Sequence, residues 1–140
     1  YKDQKDTRNK MQDTNNIQNS NPMQENKTEF NLEDRTTNFA IQVIKLCKML
    51  DRSPINDRIV SQTVSSSGSV GANYREANDS LGKKDFIHRL KISRKECKEA
   101  IHWLVLLREA NIKFSEKITK LINEAQEIRN ILSAIINKCL

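Results

Sequence analysis

From Leu32 onward, apolar and small residues recur at alternating spacings of four and three, the period of a helix that turns one face to a partner. In a first helix, about Asp34 to Leu50, that stripe is Thr36, Ala40, Val43, Cys47 and Leu50. A second helix opens at Ser53, with Pro54 in the first helical position, and runs to about Asn78. Its stripe is Ile59, Thr63, Ser66, Val70, Asn73 or Tyr74, and Ala77. A third helix, about Asp85 to Ala110, carries Phe86, Leu90, Ser93, Cys97, Ala100, Leu104 and Leu107. A fourth starts with Ser115 as its N-cap and carries Ile118, Leu121, Ala125, Ile128, Leu132, Ile135 and Cys139. The connections, about Asp51 to Ser53, Asp79 to Lys84 and Asn111 to Phe114, are short. Short links between long helices force antiparallel neighbours, so the pattern predicts an all-α fold, an antiparallel up-down-up-down four-helix bundle.

The second helix contains an unusual stretch, VSSSGSVGANYREAN, from Val64 to Asn78. Four serines and two glycines cost a helix roughly 4 kcal/mol in propensity relative to alanine. The compensation expected is close approach of a neighbouring helix, with the hydroxyls bonding one another or nearby carbonyls. A phosphate-cradling loop is the competing reading. It lacks both the Gly-Lys-Ser/Thr ending and a preceding apolar strand.

Residues 1–30 differ in character, with six Asn, four Gln and ten charged residues against five sizeable apolar groups. Such a segment buries too little surface to offset its ordering entropy. The expected organisation is therefore a disordered polar N-terminal tail over 1–31 and the bundle over 32–140. The chain opens on Tyr1 and not on methionine, so it is read as a fragment or as carrying sequence upstream of a start at Met23. Across 140 residues, 24 Lys plus Arg face 18 Asp plus Glu, a net charge of +6 that permits an acidic partner without requiring one. Three cysteines, an odd number, make no disulfide framework. No apolar run reaches the ~18 residues of a membrane span and no signal-peptide pattern opens the chain, so the expected setting is cytoplasmic and reducing, with no membrane partner.

Two consecutive helices carry a resemblance. SGSVGANYREAN (Ser67 to Asn78), followed by KKDFIHRLKISRKECKEAIHWLVLL (Lys83 to Leu107), closely resembles the bacterial family of 23S rRNA intervening-sequence proteins. The matching positions include Ser67, Ser69, Val70, Ala72, Asn73, Tyr74, Glu76, Ala77, Phe86, Ile92, Trp103 and Leu107, and the similarity covers about residues 32–140. The resemblance implies a small cytosolic bundle assembled into a homopentameric ring. A relative, the accessory variability determinant of diversity-generating retroelements, binds nucleic acid and partners a reverse transcriptase. The partners implied are thus further copies of the chain, RNA or DNA, and a nucleic-acid enzyme. Many family members carry an Arg just before the serine-rich stretch, where Val64, Ser65 and Ser66 stand here.

Catalytic arrangements find no support in the residues. A di-metal carboxylate bundle needs Glu-x-x-His pairs from two helices. Here Glu99 and His102 form one such spacing, on the outer face of the third helix, without a second pair. His88 shares that face but lies roughly 21 Å from His102 along the helix. Cys47, Cys97 and Cys139 fall near one end, the middle and the other end of the bundle, so they read as small hydrophobes rather than as a zinc site. Neither histidine has the upstream Arg spacing of helical ribonucleases. The expectation is a non-enzyme with no metal and no cofactor.

Two surfaces remain. Arg75, Lys83, Lys84, Arg89, Lys91, Arg94, Lys95 and Lys98 face four acidic residues between positions 75 and 98, a local net charge of +4. They are the candidate phosphate contacts. Trp103, Val105 and Leu106 lie off the third-helix seam and are the candidate oligomer interface. Asn73 and Glu76 are expected to fix helix packing by buried hydrogen bonds. The function expected is a nucleic-acid-associated accessory or assembly protein; the alternative is a structural or protein-binding module without nucleic-acid affinity.

Overall fold

Four helices account for nearly all of residues 32–140, the part that the computed structural model describes. They are α1 (Leu32–Cys47), α2 (Pro54–Asn78), α3 (Lys83–Ala110) and α4 (Ser115–Cys139), with a one-turn 3-10 helix (Ile112–Phe114) before α4. The described residues contain no strand. The tail expected over 1–31 lies outside them. The chain divides into residues 1–35 and residues 36–140, and the bundle described below is the second unit.

The helix ends follow from local chemistry. Ser53 is extended, and its Oγ accepts the Asn56 N–H at 3.0 Å, while Pro54 occupies the first turn where no N–H donor is missed. Ser115 does not cap α4 as expected. It is already helical, because the Ile112–Phe114 turn leads straight into the helix.

The fold is the expected up-down-up-down bundle, and side-chain bonds between helices document its order. Arg75 Nη2 on α2 donates to Thr37 Oγ1 on α1 at 3.1 Å. Ser93 Oγ on α3 donates to the Val70 carbonyl on α2 at 2.7 Å in a fully buried position. Cys97 Sγ donates to the Ala125 carbonyl on α4 at 3.0 Å. At the α2 start and α3 end, Asn56 and Asn111 exchange reciprocal amide bonds of 3.0 and 2.9 Å.

The α3 stripe is buried as the spacing predicts, apart from half-buried Phe86. On α1 the core takes Phe39 and Leu46 in place of Ala40 and Cys47; on α4 it takes Ile122 and Ile136 in place of Leu121 and Ile135. In each case adjacent residues compete, and a helix that advances about 100° per residue lets the partner surface select one.

The serine-rich stretch is helical throughout, and its two glycines do different things. A Cβ on Gly71 would stand 2.9 Å from Thr36 Oγ1 and 3.3 Å from Thr36 Cβ, whereas one on Gly68 would meet nothing within 4 Å. Close approach therefore belongs to Gly71 alone, where α1 lies against α2. The hydroxyls bond mainly within their own helix: Thr63 to the Ile59 carbonyl at 2.7 Å, Ser66 to Gln62 at 2.9 Å, and Ser69 to Ser65 at 3.0 Å. Ser67 Oγ is buried without a partner.

Candidate nucleic-acid interface

The candidate cations divide by position and by pairing. Lys83 and Lys84 are exposed in the first turn of α3, and Lys91, Lys95 and Lys98 are exposed further along it. Arg89 is half-buried and stands 4.0 Å from the Asp85 carboxylate one turn earlier, so part of its charge is answered locally. Arg75 reaches across to α1 and leaves the α3 group. Arg94 turns the other way, its Nη1 donating to Ser133 Oγ on α4 at 3.2 Å. The eight residues therefore do not form one patch.

Arg108 repeats the Arg94 arrangement fourteen residues on, its Nη1 donating to Thr119 Oγ1 at 2.9 Å. Arg129, half-buried on α4, sets its guanidinium 3.4 Å from Asn130 Oδ1. Both lie outside the 75–98 segment, so a count of charge along the sequence missed them. For Arg108 the signal was spacing, since Lys91, Arg94, Lys98 and Arg108 share one helical flank, whereas Arg129 lies on another helix and had none.

Trp103, Val105 and Leu106 are likewise separated. Trp103 and Leu106 are three residues apart on one flank, while Val105 is about 200° around the helix from Trp103. Val105 and Leu106 are each 39% exposed. The Trp103 indole meets His102 edge-on, with centroids 5.0 Å apart, and its Nε1 is buried without an acceptor.

Asn73 is half-buried and donates to the Ser69 carbonyl of its own helix at 2.9 Å, and Glu76 is exposed. The buried interhelical bonds that were expected of this pair are made by Ser93 and Cys97 instead. A cleft between the end of α1 and the start of α2 is lined by Cys47, Leu50, Arg52, Asn56, Asp57 and Ser61. Its one guanidinium, Arg52, is held by both oxygens of Asp57 at 2.7 and 3.0 Å, which also keeps the Asp57 carboxyl below its usual range. An incoming anion would have to displace that carboxylate.

Glu99 and His102 are exposed, and no group of three metal-ligating side chains gathers among the described residues. Cys97 is buried and Cys47 and Cys139 are half-buried. Burial pushes the Cys97 thiol up to about 12 and the Cys47 thiol up to about 11, so neither is a nucleophile near neutrality. Native Cys97 should react with a disulfide reagent at pH 8 far more slowly than in the urea-unfolded chain; equal rates would contradict its burial. Because both thiols hold their protons more tightly when folded, their contribution to stability is intact below pH 9.0 and is lost as pH climbs from there toward 12.

Comparison with known proteins matches residues 28–134 to the model of the family described as 23S rRNA-intervening sequence protein. One similar solved structure is described as a protein with unknown function from the S23 ribosomal protein family of Bacteroides thetaiotaomicron. It is 32% identical with a TM-score of 0.66, covering 75% of this chain and 97% of that one. No curated protein matches the chain.

Proposed function

Because the chain belongs to the 23S rRNA-intervening sequence protein family, we propose that it is a non-enzymatic, nucleic-acid-associated accessory protein that works as a homo-oligomer, a pentameric ring as the family resemblance implies. One observation carries the nucleic-acid reading. Lys83, Lys84, Lys91, Lys95 and Lys98 are exposed along α3, and no carboxylate of the described residues pairs with any of them. Unanswered charge in a row is what a polyanion exploits, because neutralising phosphates releases counterions. Repetition around a ring would multiply those contacts.

Trp103 and Leu106 support self-association. Both are apolar, on one flank of α3, and the exposed Ile55 belongs to the same end of the bundle. Leu106→Glu is expected to shift the protein toward monomer in light scattering at micromolar concentration. A wild-type protein that is already a clean monomer there contradicts the oligomer.

Gel shifts with structured RNA and duplex DNA at ~50 and ~200 mM salt test the binding. The expected result is a complex at the lower salt that weakens by at least about tenfold at the higher one. No shift at the lower salt removes nucleic acid from the reading and leaves a structural or protein-binding module.

A further inference from the structure

Resting on that reading, we infer that a nucleic-acid duplex lies along the α3–α4 seam, its phosphate backbone held by Lys91, Arg94, Lys98, Arg108 and Arg129 beside a row of uncharged polar residues on α4. That row is Thr119, Asn123, Gln126, Asn130, Ser133 and Asn137, spaced by four and three without interruption. It follows one flank of α4 for about 27 Å. Its α3 counterpart is Lys91, Arg94, Lys98, Ile101, Val105 and Arg108, with the same alternating spacing. The two rows are joined at both ends, because Arg94 donates to Ser133 and Arg108 donates to Thr119.

Three properties of this face select a duplex backbone. Neither row contains an Asp or a Glu, and the nearest carboxylate on the α3 flank is the exposed Glu109 at its end, beside Arg108. Arg94, Arg108 and Arg129 are bonded to hydroxyl or amide oxygens, which orient a guanidinium without neutralising it, and no carboxylate of the described residues pairs with the five cations. The face also lacks aromatic residues. Proteins that grip single strands use aromatic platforms to stack bases, and this surface offers only charge and hydrogen bonds, which suit a backbone whose bases are already stacked. A row of about 27 Å spans about eight nucleotides of one strand at ~3.4 Å each. The amides and hydroxyls are placed to meet phosphate and sugar oxygens between the cationic contacts.

The experiment compares Arg94→Gln/Lys98→Gln with a charge-matched control, Lys45→Gln/Lys48→Gln, whose side chains are exposed in the last turn of α1 and just after it. Full-length proteins are titrated with RNA and DNA duplexes of one sequence, about 20 base pairs long, across salt concentrations. The seam variant is expected to lose at least about tenfold in affinity, and its log–log salt slope should flatten by about 1.8, at ~0.9 per phosphate contact. The control should change by less than about threefold. Whichever duplex shows that loss supports the placement and identifies the source of the phosphates. Equal losses in the two variants would mean that only net charge matters, and would overturn the inference. Undiminished binding by the seam variant would overturn it too, while the functional reading stands. A wild-type protein that binds neither duplex sinks the functional reading and this inference together. Thermal unfolding and light scattering of the variant complete the test, since an altered oligomer would make the seam a contact between copies and overturn the proposal.

Discussion

Gly68→Ala raises the stability of the bundle by about 1 kcal/mol, and Gly71→Ala, three residues further along the same helix, lowers it. Both replacements gain the same helix propensity, about 1 kcal/mol in an exposed interior position. What differs is space. Gly68 is exposed and its new methyl meets nothing within 4 Å, so the gain appears in full, a rise of about 4 °C in melting temperature. The methyl on Gly71 arrives 2.9 Å from Thr36 Oγ1. Thr36 is fully buried and β-branched, so it has no free rotamer into which to retreat. Overpacking of this kind costs typically 1–3 kcal/mol, enough to reverse the sign, and Gly71→Leu should cost about 3 kcal/mol or more. Urea unfolding of the three variants decides it. A Gly71→Ala protein as stable as Gly68→Ala would mean that α1 does not pack on α2 at this point.

Asn56→Ala is expected to destabilise the protein by about 2–3 kcal/mol, far more than an exposed asparagine in a first turn would. Asn56 Nδ2 donates to the Asp51 carbonyl at 2.8 Å and to Asn111 Oδ1 at 3.0 Å, and its own Oδ1 accepts from Asn111 Nδ2. Asn111 Nδ2 also donates to the Leu107 carbonyl at 2.9 Å. Each amide thus uses both of its N–H bonds. Removing one side chain leaves the other desolvated, a penalty of about 1–3 kcal/mol on top of the lost bonds. A cycle of Asn56→Ala, Asn111→Ala and the double variant should show a coupling of about 1–2 kcal/mol, because the second deletion no longer strands a partner. Additive effects would show that the pair does not tie the start of α2 to the end of α3.

The helices were legible because each has an uninterrupted four-three pattern and the turns between them are short. α3 was read residue for residue from Leu90 to Leu107, because its four-three series continues unbroken from Leu90 and Cys97, which have only charged neighbours, through the steps where Ile92, Ile101, Trp103, Val105 and Leu106 compete. α1 and α4 were read one residue off in places, where Phe39 with Ala40, Leu46 with Cys47, or Ile135 with Ile136 offered two choices. Periodicity locates a stripe to within one residue; packing against a partner makes the final choice.

The candidate site was legible as charge and illegible as a surface. Basic residues counted along positions 75–98 come from two helices and several faces, and the fold sends Arg75 toward α1 and Arg94 toward α4. Arg108 and Arg129 are far from that segment in sequence but adjoin the same seam. The same holds for Trp103 and Val105, neighbours in the chain on different sides of a helix.

By itself the sequence determined that residues 32–140 form four amphipathic helices in antiparallel order, because the hydrophobic period and the connection lengths are local quantities. Only the tertiary structure decided which glycine serves a close contact, which of two adjacent residues enters the core, and which cations share a face. Each of those depends on the side chain presented by another helix, and no property of one helix contains it.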